Sequence, residues 1–133
     1  HRDGVPIANR LEPGKRPRSS MAPTIVMKDG TPVLAIGSPG GSRIIGYVAQ
    51  AIIGWVDWGM DVQQAVAMPH AVNRFGTYDL EEGSTAAAMQ GALETFGYEV
   101  SVRTLNSGLH AIAIGERLQG GADPRREGIA LGE

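Results

Sequence analysis

Two adjacent glycines at a strand-to-helix turn are the residues of this sequence best suited to do chemistry through the backbone. Gly40 and Gly41 follow an apolar, β-prone run and precede a long apolar segment, so they are predicted to lie where a helix begins. The first N–H groups of a helix have no partner inside it and carry the positive end of its dipole. Glycine lets a ligand atom approach those donors closely, whether a phosphate, a carboxylate or the oxyanion of an attacked carbonyl. Ordinary turn formation also explains the pair.

A pair of adjacent serines is the second chemical candidate. Ser19 and Ser20 lie in a polar segment, residues 1–23, that contains four prolines and is therefore predicted to be extended. Two neighbouring hydroxyls can donate hydrogen bonds to the two oxygens of one carboxylate. A solvated loop also explains the pair, so the serines alone do not identify a site.

Three other polar residues are interpreted as structural. His70 directly follows Pro69, and His110 lies in an apolar run, where a lone histidine is more often a strand residue than a catalytic base. Asp123 lies beside Arg125 and Arg126, which favours an ion pair or a turn cap over a site carboxylate.

The elements that must position the glycine turn are a hairpin before it and a helix after it. Residues 24–36 predict a β-hairpin, because Asp29-Gly30 separates two β-prone runs. Residues 42–58 predict a helix that is apolar on most sides and forms the central packing element. Its expected core contacts are Ile45, Val48, Ile52 and Trp55.

The rest of the chain predicts two more helices and several short strands. Asp61 is the expected N-cap of a helix that Pro69 ends, and residues 84–96 predict a third helix. The stripe of this third helix contains Ala86, Met89, Leu93 and Phe96. Strands are expected at residues 77–80, 98–102, 109–114 and 117–118. The prediction is one α+β domain over residues 1–133, with an extended segment 1–23 and a body 24–133 in which helices cover a mainly antiparallel sheet.

Composition excludes several classes of function. The chain has 133 residues, 42% of them hydrophobic, with a net charge of −2, which fits one globular domain and gives no general attraction to nucleic acid or anionic membranes. It has no cysteine, which excludes disulfides, thiolate catalysis and Cys-based zinc sites, and we predict neither a metal nor a cofactor. The apolar run 44–56 is too short to span a bilayer, and His1 does not begin a signal peptide.

Three separated motifs occur in order along the chain. They are P-G-K-R-P-R-S-S-M-A-P-T-I at residues 13–25, G-S-P-G-G-S-R-I at 37–44 and A-D-P-R at 122–125. Their order and spacing closely resemble the C-terminal half of the small subunit of γ-glutamyltranspeptidases, over residues 9–133. The resemblance implies part of an N-terminal-nucleophile hydrolase fold, an αββα sandwich that matures when its precursor cuts itself.

The resemblance also implies a reaction and roles for four residues. An N-terminal Thr attacks the γ-amide of glutathione or a related compound, and water or an acceptor amine resolves the γ-glutamyl ester. Gly40 and Gly41 match the pair that forms the oxyanion hole, and Ser19 and Ser20 match the serines that hold the donor's α-carboxylate. The implied partners are the large subunit and the N-terminal part of the small subunit. The family suggests a periplasmic or secreted location, but the sequence does not determine the compartment.

No residue of the chain can be the nucleophile, because every Thr is internal and the first residue is His1. We therefore expect the chain to be a C-terminal piece that is inactive alone, with the nucleophile and the groups that bind the α-amine upstream. Two departures from the family pattern suggest a divergent branch of the family. Arg18 stands where the family often has Leu, and residues 107–110 stand where many members have Gly-Ser-Thr followed by a polar residue. A related cephalosporin-type acylase and a non-catalytic anion-binding module remain alternative interpretations.

Overall fold

The computed structural model of this chain describes residues 3–132, so the prediction that concerns His1 lies outside the described residues. The strands there are β1 Thr24–Lys28, β2 Thr31–Gly37, β3 Ala71–Arg74, β4 Thr77–Glu81, β5 Glu99–Arg103, β6 His110–Ile114 and β7 Leu118–Ala122. The α-helices are α1 Ile44–Val56, α2 Val62–Ala67 and α3 Gln90–Thr95, and short 3-10 helices cover Gly41–Arg43 and Thr85–Met89. Within residues 3–132, no helix has the length and apolarity needed to cross a membrane.

The strands form two sheets, which confirms the predicted α+β class with mainly antiparallel pairing. The four-stranded sheet has the order β1-β2-β6-β7 and is antiparallel throughout, whereas the three-stranded sheet has the order β3-β4-β5. In the smaller sheet β3 and β4 are antiparallel, but β4 and β5 are parallel. A parallel pair needs a long crossover, and the segment that contains α3 supplies it.

The hairpin of β1 and β2 sets the position of both candidate pairs. Asp29 and Gly30 have φ angles of 50° and 78°, and two consecutive positive values are what a two-residue turn of type I′ requires. In the register of the hairpin, Thr24 at the start of β1 lies opposite Ile36 near the end of β2. The serine pair before β1 and the glycine pair after β2 therefore extend from the same end of the hairpin.

Helix α1 is buried along one stripe and packs on the larger sheet. Its buried residues recur at helical spacing, namely Ile44, Tyr47, Val48, Ala51 and Gly54. The prediction that Ile45 belongs to the core is wrong, because 61% of this residue is exposed. Ile52 and Trp55 are half-buried against the core. The centre of the buried stripe is therefore shifted by about one residue from the centre predicted from the sequence.

The segment before β5 differs most from the sequence prediction. Ser84 is the predicted N-cap and accepts a hydrogen bond from the Ala86 N–H at 3.2 Å, but the following turns are 3-10 rather than α. Because a 3-10 helix has three residues per turn, an apolar stripe at α-helical spacing does not stay on one face. Ala86 is buried, whereas Met89 and Phe96 are exposed.

Capping and tight turns define the other boundaries. Asp61 is the predicted N-cap of α2, and Gln64 completes a capping box with it. Strand β3 was not predicted from the sequence. It pairs with β4 through a tight turn at Phe75 and Gly76, whose φ angles of 58° and 98° are both positive.

Candidate active site

The two glycines of the turn have different reasons to be glycine. Gly40 has φ 131° and ψ 13°, and a β-carbon placed on it would lie 2.8 Å from Cε2 of Tyr47. Gly41 has φ 61°, but a β-carbon there would meet no atom within 4 Å in the part of the chain that the structure describes, its two neighbours aside. The fold therefore fills the space at Gly40, while the space beside Gly41 is open to a ligand.

The turn presents the backbone N–H groups of Gly40 and Gly41 as two consecutive donors at the start of α1. The Arg43 N–H donates to Gly40 O at 3.4 Å, and the Ile44 N–H donates to Gly41 O. The N–H groups of Gly40 and Gly41 themselves donate to no acceptor within the described residues 3–132. Two such donors next to open space can hold an oxyanion or a carboxylate oxygen.

Two arginines fasten the turn to the smaller sheet. Nε of Arg43 donates to Oδ2 of Asp79 at 2.7 Å, and the Asp79 carboxylate is buried in β4. Nη1 of Arg74, at the end of β3, donates to Oγ of Ser42 at 2.9 Å. These bonds join the residues directly after Gly41 to two strands and restrict how the turn can move.

The loop at residues 105–109 supports the turn from another side. A β-carbon on Gly108 would lie 2.6 Å from Cγ of Pro39, and one on Gly40 would lie 3.7 Å from the carbonyl oxygen of Asn106. Pro39 and Gly40 therefore pack directly against this loop. In the sequence, residues 107–110 were notable only because they depart from the family pattern. In the structure, the loop that contains them packs against the glycine turn.

A buried hydrogen-bonded chain holds that loop in place. The Ser107 hydroxyl donates to Oδ2 of Asp123, and Nε2 of His70 lies 2.6 Å from the same hydroxyl oxygen. Since the single hydroxyl proton goes to Asp123, Nε2 of His70 must be the donor in the second bond. Burial, together with the charge of Arg125, lowers the pKa of His70 to about 4, so the ring is neutral at neutral pH. The burial of His70 and its bond to Ser107 fit the structural interpretation of this residue.

Asp123 is held as a carboxylate by its neighbours. Burial alone would raise the pKa of Asp123, but hydrogen bonds from the Ser107 hydroxyl and from the N–H groups of Arg125 and Leu109 hold it below its ordinary value. Nη1 of Arg125 lies 3.0 Å from Oδ1 of Asp123, and its Nη2 lies 2.7 Å from Oε2 of Glu81. The predicted structural ion pair of Asp123 is confirmed.

The remaining predicted residues lie at the periphery of the turn. Ser19 is exposed, and its Oγ accepts a hydrogen bond from the Met21 N–H at 3.2 Å, while Ser20 is half-buried. The structure brings both serines to the glycine end of the hairpin, with no hydrogen bond between the two pairs within residues 3–132. His110 is an exposed strand residue whose Nδ1 lies 3.0 Å from the Gly108 carbonyl oxygen.

Asp79 is one residue of this arrangement that the sequence reasoning missed. The signal was present, because a carboxylate in the middle of a short predicted strand is rarely buried without a paired cation. Its partner, Arg43, is 36 residues away in sequence. The pairing could therefore be found only from the fold.

Comparisons of this sequence with known proteins identify one family. The family model described as gamma-glutamyltranspeptidase matches residues 2–133. The chain is 36% identical over 139 residues to the glutathione hydrolase proenzyme of Pseudomonas sp. (strain A14), an alignment that covers 94% of this chain and 24% of that protein. It is 37% identical over 136 residues to the glutathione hydrolase proenzyme of Bacillus subtilis (strain 168), covering 98% of this chain and 23% of that protein.

Comparison with solved structures leads to the same group of proteins. The structure is similar to that of gamma-glutamyltranspeptidase from Pseudomonas nitroreducens complexed with L-DON, with a TM-score of 0.80 and 30% identity over 96% of this chain and 69% of that chain. This likeness confirms that the chain has part of the N-terminal-nucleophile hydrolase fold. The chain spans about a quarter of the length of the curated relatives that it matches. Because the family model covers residues 2–133 and both sequence and fold agree with it, the chain belongs to the γ-glutamyltranspeptidase family.

Proposed function

We propose that this chain supplies the oxyanion hole and the donor-carboxylate site of an enzyme that cleaves γ-glutamyl amides such as glutathione. The enzyme would pass the γ-glutamyl group to water or to an acceptor amine. The observation that carries the proposal is the pair of unpartnered N–H groups at Gly40 and Gly41, beside the open space at Gly41. The partner in this proposal is the remainder of a larger precursor, since the relatives are proenzymes and the chain matches about a quarter of each.

The charges around the turn favour a transient oxyanion over a phosphate. Arg43 is the cation closest in sequence to the glycines, and its guanidinium is already paired with the buried Asp79. The donors beside the open space are therefore neutral backbone dipoles, and the charge of Arg43 is already neutralised. Dipoles of this kind stabilise a charge that develops during a reaction and disappears again, as in acyl transfer.

The reaction then runs in two steps. The hydroxyl of a Thr outside this chain attacks the γ-carbonyl carbon of the donor, and the carbonyl oxygen becomes an oxyanion that the Gly40 and Gly41 N–H groups stabilise. When the C–N bond breaks, the amine leaves with a proton and a γ-glutamyl ester remains on the Thr. Water or an acceptor amine attacks that ester, through the same oxyanion site, and frees the Thr hydroxyl.

The serine pair has the binding role in this proposal. The hydroxyls of Ser19 and Ser20 donate to the α-carboxylate of the donor, which lies at the opposite end of the γ-glutamyl group from the reacting carbonyl. We further propose that the chain is a single domain, in which residues 24–133 form the α+β body and residues 1–23 an extended segment. The hairpin of β1 and β2 fixes the spacing between the two binding pairs.

The first test of the proposal compares the isolated chain with the assembled enzyme, in which this chain is joined by the parts that supply the Thr. The assembled enzyme should release p-nitroaniline from γ-glutamyl-p-nitroanilide, and the isolated chain should release none, because it has no activated nucleophile. Release by repurified isolated chain would contradict the external nucleophile. No release by the assembled enzyme would contradict the proposed function itself.

A further inference from the structure

Two guanidinium groups share one exposed aromatic ring beside the proposed donor site. The Cζ atom of Arg18 lies 5.5 Å from the centroid of the Phe75 ring, and the Cζ atom of Arg74 lies 5.9 Å from the same centroid. Phe75 is 79% exposed at the β3–β4 turn, where its backbone has a positive φ of 58°. Each contact is within the range of a cation–π interaction, so the ring holds both arginines near one another.

This stack connects the two segments that carry the proposed site. Arg18 directly precedes Ser19, and Arg74 donates a hydrogen bond to Ser42, which directly follows Gly41. Phe75 therefore connects the serine segment to the glycine turn, because Arg18 and Arg74 both contact its ring. A third tie keeps the serine segment in place, since the Arg18 N–H donates to Oδ1 of Asn9 at 3.4 Å.

The charges of this stack are not neutralised. Within residues 3–132, the ion pairs involve other cations, and neither Arg18 nor Arg74 pairs with a carboxylate. The contrast with Arg43 and Arg125 is clear, because each of those arginines is matched to a buried carboxylate. Two unpaired guanidinium groups held beside one ring attract an anion.

Resting on the proposed function, we infer that Arg18 is a specificity-determining residue that selects donors with an α-carboxylate. Phe75 holds the guanidinium of the residue that directly precedes the serine pair, and in this inference its charge attracts a carboxylate bound to the Ser19 and Ser20 hydroxyls. Arg74, which contacts the same ring, adds to the positive field. Because the attraction between two single charges near solvent is modest, we expect an effect of about three- to tenfold in binding.

Two chromogenic donors isolate the contribution of the carboxylate. γ-Glutamyl-p-nitroanilide carries both the α-amine and the α-carboxylate, whereas 4-aminobutyryl-p-nitroanilide carries the amine alone. The ratio of their kcat/KM values in the assembled enzyme therefore measures how strongly the carboxylate is selected. Changing Arg18→Leu should lower this ratio about three- to tenfold through a higher KM for the γ-glutamyl donor, with kcat within about twofold of the unchanged enzyme.

Three further variants distinguish charge near the serines from a general effect. Arg18→Lys should keep most of the ratio because it keeps the charge, and Phe75→Leu should lower the ratio because the arginine loses its support. Arg16→Leu is the matched control, since it removes an exposed positive charge two residues earlier and should leave the ratio unchanged.

The possible results distinguish a failure of this inference from a failure of the proposed function. If the unchanged enzyme prefers the γ-glutamyl donor and Arg18→Leu leaves the ratio within twofold, the inference is wrong and the proposed function stands. An equal fall in the Arg16→Leu control would also overturn it, because the effect would then be general electrostatics. If the unchanged enzyme uses both donors equally, the proposed carboxylate site itself is wrong.

Discussion

Replacing Gly41 with valine in the assembled enzyme is expected to lower kcat about 10²–10³-fold, or roughly 2.7–4 kcal/mol, while the protein stays folded. The branched side chain would enter the open space beside Gly41, where the donor carbonyl must approach the N–H groups. Because no atom of the described residues 3–132, the two chain neighbours aside, lies within 4 Å of that position, the fold there does not resist the substitution sterically. The remaining cost is the positive φ of 61°, which disfavours a β-branched residue by about 1–2 kcal/mol.

Gly30 provides the matched control for the cost of placing a β-branched residue at a positive φ. Gly30 has φ 78°, and a β-carbon placed on it would likewise meet no non-neighbouring atom of the described residues within 4 Å. It lies in the β1–β2 turn, at the other end of the hairpin. Gly30→Val should lower the thermal midpoint about as much as Gly41→Val and leave kcat unchanged. Full kcat in Gly41→Val, or an equal loss of kcat in Gly30→Val, would refute the oxyanion-hole assignment.

Changing Ser19→Ala and Ser20→Ala together is expected to lower kcat/KM for γ-glutamyl-p-nitroanilide by about 10²-fold or more, with a higher KM. The reason is that each hydrogen bond to a charged carboxylate contributes about 1.5–3 kcal/mol. Ser19 is exposed and Ser20 is half-buried, so the loss of two hydroxyls should leave the fold intact.

The donor without a carboxylate is the control for the serine variant. The kcat/KM for 4-aminobutyryl-p-nitroanilide should be the same in the unchanged and the doubly substituted enzyme, because this donor has no carboxylate for the hydroxyls to bind. If kcat/KM for the γ-glutamyl donor survives the double substitution, the serines do not bind the carboxylate. If both donors lose activity equally, the serines have a structural role instead.

The parts of the fold that were predictable from the sequence are those that local chemistry determines. Asp29-Gly30 specifies a two-residue turn of positive φ, and Asp61 specifies the start of α2, without any information from the rest of the chain. The long apolar run predicted α1, but its width left the buried stripe ambiguous, and Ile45 was placed on the wrong side. A helix that is apolar nearly all round does not define its own core face.

The parts that could not be predicted depend on contacts between distant segments. The pairs that fasten the turn, Arg43 with Asp79 and Arg74 with Ser42, join residues 36 and 32 positions apart. The position of Asp79 in a predicted strand is a signal in the sequence, but the pairing of these side chains follows only from the contact of the glycine turn with the smaller sheet. Family resemblance named the glycine and serine pairs, but it gave no indication of the bonds that hold the glycine turn in place.

The central claim is that the Gly40 and Gly41 N–H groups bind the oxygen of the reacting carbonyl. A crystal structure of the assembled enzyme, trapped with an electrophilic γ-glutamyl analogue on its nucleophile, tests it most directly. We expect the oxygen derived from the carbonyl to lie about 2.7–3.1 Å from both backbone nitrogens. An adduct whose oxygen is turned away from Gly40 and Gly41 and is bound by other donors would contradict the account.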